Sequence, residues 1–218
     1  MVIIVSIHFS IHPKLLKIMK KNSILFNIDI STGTQPEPGS LLIAEPFLHE
    51  DYFNHAVISL IDYEKGGTAM GVVLNNPTDY KLQELIEGIT IEQPIPVFCG
   101  GPMSDDRLYF LHTLGDLVPD TRELSPGLWV GGDFGAIASI VNDGYPIDGN
   151  IRFFIGYSGW SERQLDNEIS EKVWAVTTPA DPHQMLRAKG DDLWHSSVRK
   201  LGADFRGWLY HPQNVMSN

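Results

Sequence analysis

The segment Gly156-Tyr157-Ser158-Gly159-Trp160 is the first place in the chain where residue types and spacing suggest chemistry. It falls one residue short of the G-x-S-x-G elbow, in which small flanking residues let a nucleophilic serine stand on a sharp strand-to-helix turn. Trp160 takes the place of the last glycine, where an indole would hold helix and strand apart. A structural reading competes. Ser161 and Gln164 fit the S-x-x-Q capping box, and Trp160 and Leu165 fit the two positions of a hydrophobic staple. On that reading Ser161 caps a helix and Ser158 belongs to a turn; catalysis at Ser158 would also need a base that spacing does not reveal.

Cys99-Gly100-Gly101-Pro102 is the second candidate. It sets a thiol at a strand end beside two glycines whose N–H groups could form an anion-binding nest and depress the thiol pKa. The plainer reading is a small buried hydrophobe followed by a glycine turn. The histidines do not make a metal site: His49 and His55 are six residues apart, where H-E-x-x-H requires four, so no metal is expected. His112 reads either as a hydrogen-bonded structural residue or as a polar group lining a cleft. Glu162, Asp166 and Glu168 read as a solvated acidic helix start, favoured by the helix dipole. None of Gly66-Gly67, Gly100-Gly101 and Gly131-Gly132 matches a phosphate loop or a dinucleotide fingerprint, so no cofactor is expected.

The elements that must position these residues follow from apolar periodicity. Strands are expected at 41–44, 56–61, 69–74, 95–99, 108–111, 128–130, 151–155 and 173–177, with 56–61 and 69–74 joined as a hairpin. Residues 100–107 read as a loop. A short helix is expected at Leu82, Leu85 and Ile86, stopped by Gly88. Others start at Asp133, after Ser161, and at Asp181-Pro182, and a last one carries Leu193, Trp194, Val198 and Leu201 up to Gly202. Strands and short helices without regular βαβ alternation indicate an α+β domain.

A formal net charge of −11 and one cysteine set outer bounds. A chain this acidic, with scattered lysines and arginines, is not expected to bind nucleic acid directly or to sit on an anionic membrane. A lone Cys99 excludes an internal disulfide. The apolar stretch MVIIVSIHFSIH is too short to span a bilayer and precedes its lysines, the reverse of a secretory signal. Met19 reads as an alternative start, which would make residues 1–18 an artefact of start choice. Residues 1–38 then form an extension and lead-in, 39–210 a single domain and 211–218 a tail.

Four stretches carry a resemblance: GSLLIAEPFLHEDYFNHAVISLIDYEKGGTAMGVVLNNPT, CGGPMSDDRLYFLH, FFIGYSGWSERQLDNEI with VWAV, and DDLWHSSVRKLGADF. Through them the chain resembles the YqgE/AlgH family of bacterial proteins. The resemblance implies a cytoplasmic, single-domain protein whose mixed, mostly antiparallel sheet curls into a barrel-like core with short helices around it. Members are often labelled transcriptional regulators, and the family brings no agreed activity or catalytic residues. This chain departs from the family pattern at Glu162-Arg163, where a glycine often precedes the glutamine.

Both readings meet at three turns: Asn75-Asn76-Pro77, Gly100-Gly101-Pro102 and Tyr157-Ser158-Gly159-Trp160. If these converge they line one shallow cleft, with Asn75, Gly100, Gly101, His112, Tyr157, Ser158 and Trp160 as ligand-binding residues for a small anionic or planar ligand or a protein segment. The function expected is that of a non-catalytic binding or regulatory protein. The alternative is a hydrolase or thiol-dependent enzyme using Ser158 or Cys99; a DNA-binding regulator ranks below both, because its basic face is missing.

Overall fold

The computed structural model of the protein describes residues 32–48, 52–178 and 181–210. The proposed start at Met19, the 1–18 segment, the 211–218 tail and His49-Glu50-Asp51 lie outside them. Among the described residues ten strands form a curled sheet: eight follow the order β10-β1-β2-β3-β9-β6-β8-β7, and off this path β4 pairs with β5 and β5 with β9. They are β1 (Leu41–Ala44), β2 (Val57–Tyr63), β3 (Ala69–Val73), β4 (Pro77–Lys81), β5 (Pro96–Cys99), β6 (Met103–His112), β7 (Arg122–Ser125), β8 (Leu128–Val130), β9 (Ile151–Trp160) and β10 (Trp174–Thr177). Among the described residues five short α-helices surround them: α1 (Leu82–Leu85), α2 (Phe134–Asn142), α3 (Gln164–Ser170), α4 (Pro182–Arg187) and α5 (Gly190–Leu201). The fold is α+β, with an antiparallel sheet bent into a half-barrel, as the sequence leads one to expect. Among the described residues one parallel pair, β5 with β9, interrupts the antiparallel pattern.

Strand β9 organises the sheet. Its first half lies between β5 and β6, with Phe154 opposite both Phe98 and Tyr109; its second half pairs with β3, where Ser158 faces Gly71. The bend between the halves falls at Gly156, whose φ of +69° lies in the left-handed region. A Cβ there would come within 2.7 Å of the carbonyl oxygens of Gly101 and Met103. The segment 157–160, expected as a strand-to-helix turn, is therefore strand: a glycine bend redirects the chain without ending the ladder.

Two further expectations change. The segment 100–107 is not all loop, because β6 begins at Met103 and reaches Leu108 through an irregular register. Ser161 does not cap α3 either. The helix starts at Gln164 after Arg163, whose φ is +62°, and only half of the capping box forms: Gln164 Oε1 accepts from the Ser161 N–H at 3.0 Å. The caps at Asp133 and Asp181 form as expected, Asp133 accepting from the Ala136 N–H and Asp181 from those of His183 and Gln184.

Strands β1, β2, β3, β9 and β10 are buried on both faces. In β1, Leu41 and Ile43 join one apolar cluster while Leu42 and Ala44 join another. The first cluster packs against α4 and α5 through Met185, Leu193 and Trp194; the second packs against α3 through Leu165. A third cluster, with Val97, Phe110 and Phe153, lies under α1 and α2. Each large side chain removed from water contributes about 1.5–3 kcal/mol, so the helices are held by the sheet's two apolar faces rather than by their own propensity. Among the described residues no helix is long and apolar enough to cross a membrane.

Candidate functional site

The three turns singled out in the sequence come partly together. Asn76 O accepts from the Cys99 N–H at 2.8 Å, Gly100 O accepts from the Val73 N–H at 2.9 Å, and Gly100 N–H donates to Ile155 O at 2.8 Å. Gly100 and Gly101 lie so close to β9 that a Cβ on either would collide with the backbone of residues 156–158. The junction is closed, backbone against backbone. Its polar groups have internal partners: Ser158 Oγ is buried and donates to Gly100 O at 3.0 Å. The Asn75 amide accepts from the Val57 N–H and donates to the carbonyls of His55 and Gly190. Tyr157 is half-buried beside Tyr109, and Cys99 Sγ sits 3.6 Å from Gly101 O.

Two of the named residues lie apart from this junction. Trp160 is at the far end of β9 in the second cluster, its Nε1–H donating to Glu168 Oε2 at 2.8 Å. His112 pairs with Ile151, six residues along β9 from Tyr157, or roughly 20 Å of strand. It is fully buried. Its Nδ1 accepts from the Leu114 N–H, so the proton sits on Nε2 and is shared between Thr121 Oγ1 at 2.9 Å and Gly131 O at 3.1 Å. Burial pushes its pKa below the ordinary histidine value, and the bond to Gly131 acts in the opposite direction.

A cavity opens along β5 and the first half of β9, and none of Asn75, Gly100, Gly101, His112, Tyr157, Ser158 and Trp160 lines it. It has a volume of about 490 Å³ and is lined by Ile95, Phe98, Tyr145, Ile147, Arg152 and Lys189 among others. Arg152 dominates its electrostatics. Nη1 donates to Leu74 O at 2.7 Å; Nη2 donates to Ala188 O at 2.7 Å and to Leu186 O. The guanidinium carbon stands 4.3 Å from the centre of the Phe98 ring. Burial lowers the Arg152 pKa to about 10, against the opposing influence of Asp148, yet the group stays cationic at neutral pH. Among the described residues no carboxylate forms an ion pair with it. Asp148 pairs instead with Arg187, at 3.3 Å.

Sequence reasoning passed over Arg152. It takes 151–155 simply as a strand, whereas β9 is buried on both faces and holds an arginine inside the run IRFFI. An arginine inside so apolar a run was the available signal, because a buried cation must be provided with acceptors. A second polar cluster also escaped. Asp191, in the first turn of α5, takes Nδ1 of His55 at 2.7 Å on one oxygen and Nδ1 of His195 at 2.9 Å on the other, and the His55 ring lies flat on Trp194 at 3.8 Å. These contacts dock α5 on the sheet across 136 residues of sequence.

Comparison with known proteins agrees with this architecture. The sequence model of the AlgH-like family matches residues 41–206. A UPF0301 protein of Parabacteroides distasonis is 41% identical over 184 residues, covering 84% of this chain and 92% of its own. Another from Bacteroides fragilis is 38% identical, covering 89% and 97%. Among solved structures, a Corynebacterium diphtheriae protein superimposes with a TM-score of 0.68 at 24% identity, covering 86% of this chain and 97% of its own, and so shares the fold. The solution structure of the AlgH protein from Pseudomonas aeruginosa gives 0.60 at 26% identity, covering 78% and 93%. Matched by the family's sequence model over most of its length and by relatives almost end to end, the chain belongs to the YqgE/AlgH family of AlgH-like proteins.

Proposed function

We propose that this chain is a non-catalytic binding protein that takes a small ligand, anionic or planar, in the cavity beside β5 and β9. The observation that carries the reading is Arg152: a buried cation in the wall of an approximately 490 Å³ space, held by carbonyls and a phenyl ring. Binding cavities commonly run from about 300 to 1,000 Å³, with an apolar lining and a few fixed polar groups. The same reading moves the ligand away from the three turns, none of whose residues lines the cavity. The buried hydroxyl of Ser158, turned to Gly100 O, favours a binding role over nucleophilic catalysis. The net charge of −11 favours a regulator that acts through a ligand or a protein contact over one that touches DNA.

Titrating ¹⁵N-labelled protein with a library of small anions and flat heterocycles tests this. The reading expects at least one saturable binder whose largest amide shifts fall at Phe98, Ile147, Ile151 and Lys189. It fails if no compound saturates, or if those that do shift a different surface.

A further inference from the structure

We infer that the ligand of this cavity is a monoanion with a flat apolar body, of the aromatic carboxylate class; the inference rests on the binding reading above and narrows it. Three observations lead there.

The first is charge. Two cations, Arg152 and Lys189, line the cavity against one carboxylate, Asp148, and neither cation forms an ion pair among the described residues, Asp148 being paired with Arg187 outside the lining. In a chain of net charge −11, that local surplus marks a place for an anion.

The second is donor geometry. A guanidinium offers two bidentate forks, one from Nε–H with Nη2–H and one from Nη1–H with Nη2–H. Nη2 already donates to both Leu186 O and Ala188 O, so neither fork is open. Arg152 therefore supplies field and single donors, and Lys189, which is exposed, supplies the point contact. A doubly charged phosphate, which calls for several convergent donors, is poorly served by such a wall; one carboxylate is well matched.

The third is shape. Ile95, Phe98, Ile147 and Ile151 supply the apolar part of a mixed lining, and about 490 Å³ equals roughly sixteen waters at ~30 Å³ each. One or two fused rings fit. A dinucleotide does not.

The test is a calorimetric and amide-shift titration with 2-naphthoate, its uncharged counterpart 2-naphthamide, inorganic phosphate and adenosine monophosphate. Naphthoate is expected to bind at least tenfold more tightly than naphthamide, and phosphate alone to leave the cavity amides unmoved. In Lys189→Glu, a change at an exposed position, naphthoate is expected to lose at least tenfold in affinity while naphthamide is unchanged. Equal binding of acid and amide, an affinity for naphthoate that ignores Lys189→Glu, or tighter binding of either phosphate compound overturns the inference and leaves the cavity reading standing. If none of the four compounds moves a cavity amide, the inference fails; if the wider library also yields no binder there, the binding reading falls with it.

Discussion

Trp160 and Trp174 meet edge to face, their ring centroids 6.2 Å apart and their planes at 83°, and both indole N–H groups donate to one oxygen, Glu168 Oε2, at 2.8 Å each. The other oxygen accepts from Gln164 Nε2 at 2.9 Å. Helix α3 is thus tied to the ends of β9 and β10 by a carboxylate that the sequence presents as part of a solvated acidic face. Asp166 is tied as well, accepting from the Tyr63 hydroxyl at 2.6 Å and the Gly66 N–H at 2.7 Å.

Glu168→Ala leaves two largely buried indole donors without a partner. Each unsatisfied group costs about 1–3 kcal/mol, and the half-buried position of Glu168 places the expected total near 2–3 kcal/mol. Urea denaturation followed by tryptophan fluorescence should show the midpoint fall with the slope unchanged. A loss under about 0.5 kcal/mol would mean that the indoles gain nothing from Glu168.

Trp160→Ala and Ser161→Ala separate packing from capping. Trp160 is buried in the second core cluster, so its truncation should cost about 3–5 kcal/mol. Ser161 is exposed and its hydroxyl caps no helix N–H, so its truncation should stay within about 0.5 kcal/mol. Parallel denaturation curves check both values. A cost near 1 kcal/mol at Ser161 would restore it as a cap.

The bend of β9 predicts intolerance at Gly156. Gly156→Ala combines a left-handed backbone with contacts of 2.7 Å to two carbonyl oxygens, and should cost more than about 3 kcal/mol or prevent folding. Gly207→Ala, where an added Cβ meets nothing within 4 Å, should change stability by about 1 kcal/mol at most. Thermal unfolding of the two variants makes the comparison; equal effects would contradict the account of the bend.

Glu45 predicts a pH dependence. Its carboxyl is buried, with one oxygen accepting from the Phe47 N–H at 2.9 Å and the other without a hydrogen-bond partner among the described residues. Burial raises its pKa to about 7 from 4.5, and the Phe47 bond acts in the opposite direction. A raised carboxyl pKa means the folded state keeps a proton that the unfolded state releases. Its stability contribution is therefore complete below the unfolded pKa and disappears as pH rises through about 7. Glu45→Gln should accordingly be more stable than the parent above about pH 8, by roughly 3 kcal/mol at ~1.4 kcal/mol per pK unit, with the difference vanishing toward about pH 4. Denaturation across that range reads the difference, and a gap that does not depend on pH would assign it to packing alone.

Much of the sheet was legible because β1, β2, β3 and β10 are short apolar runs containing β-branched residues, and because Asp133 and Asp181 carry their capping chemistry in the sequence itself. The strand β4, reading PTDYK, was not. It has no apolar pattern and exists as strand only by pairing with β5. The elbow-like segment misled because glycines that usually end a strand here bend one. Of the candidate site, the Gly100-Gly101 approach to Tyr157 and Ser158 was legible in outline, since adjacent glycines beside a strand end signal close backbone contact. Arg152 was not, because its meaning depends on the carbonyls of Leu74, Leu186 and Ala188, which converge only when distant segments pack.

The central claim is that the Arg152 cavity holds a ligand, and native mass spectrometry of the protein purified from its own cell addresses it most directly. Ile147 lines the cavity, so Ile147→Trp is expected to fill part of it while the core clusters of β1, β2 and β3 stay intact. The account predicts a small molecule released from the wild-type chain on denaturation and absent from Ile147→Trp. The same mass retained by both proteins would place the ligand elsewhere and contradict the claim.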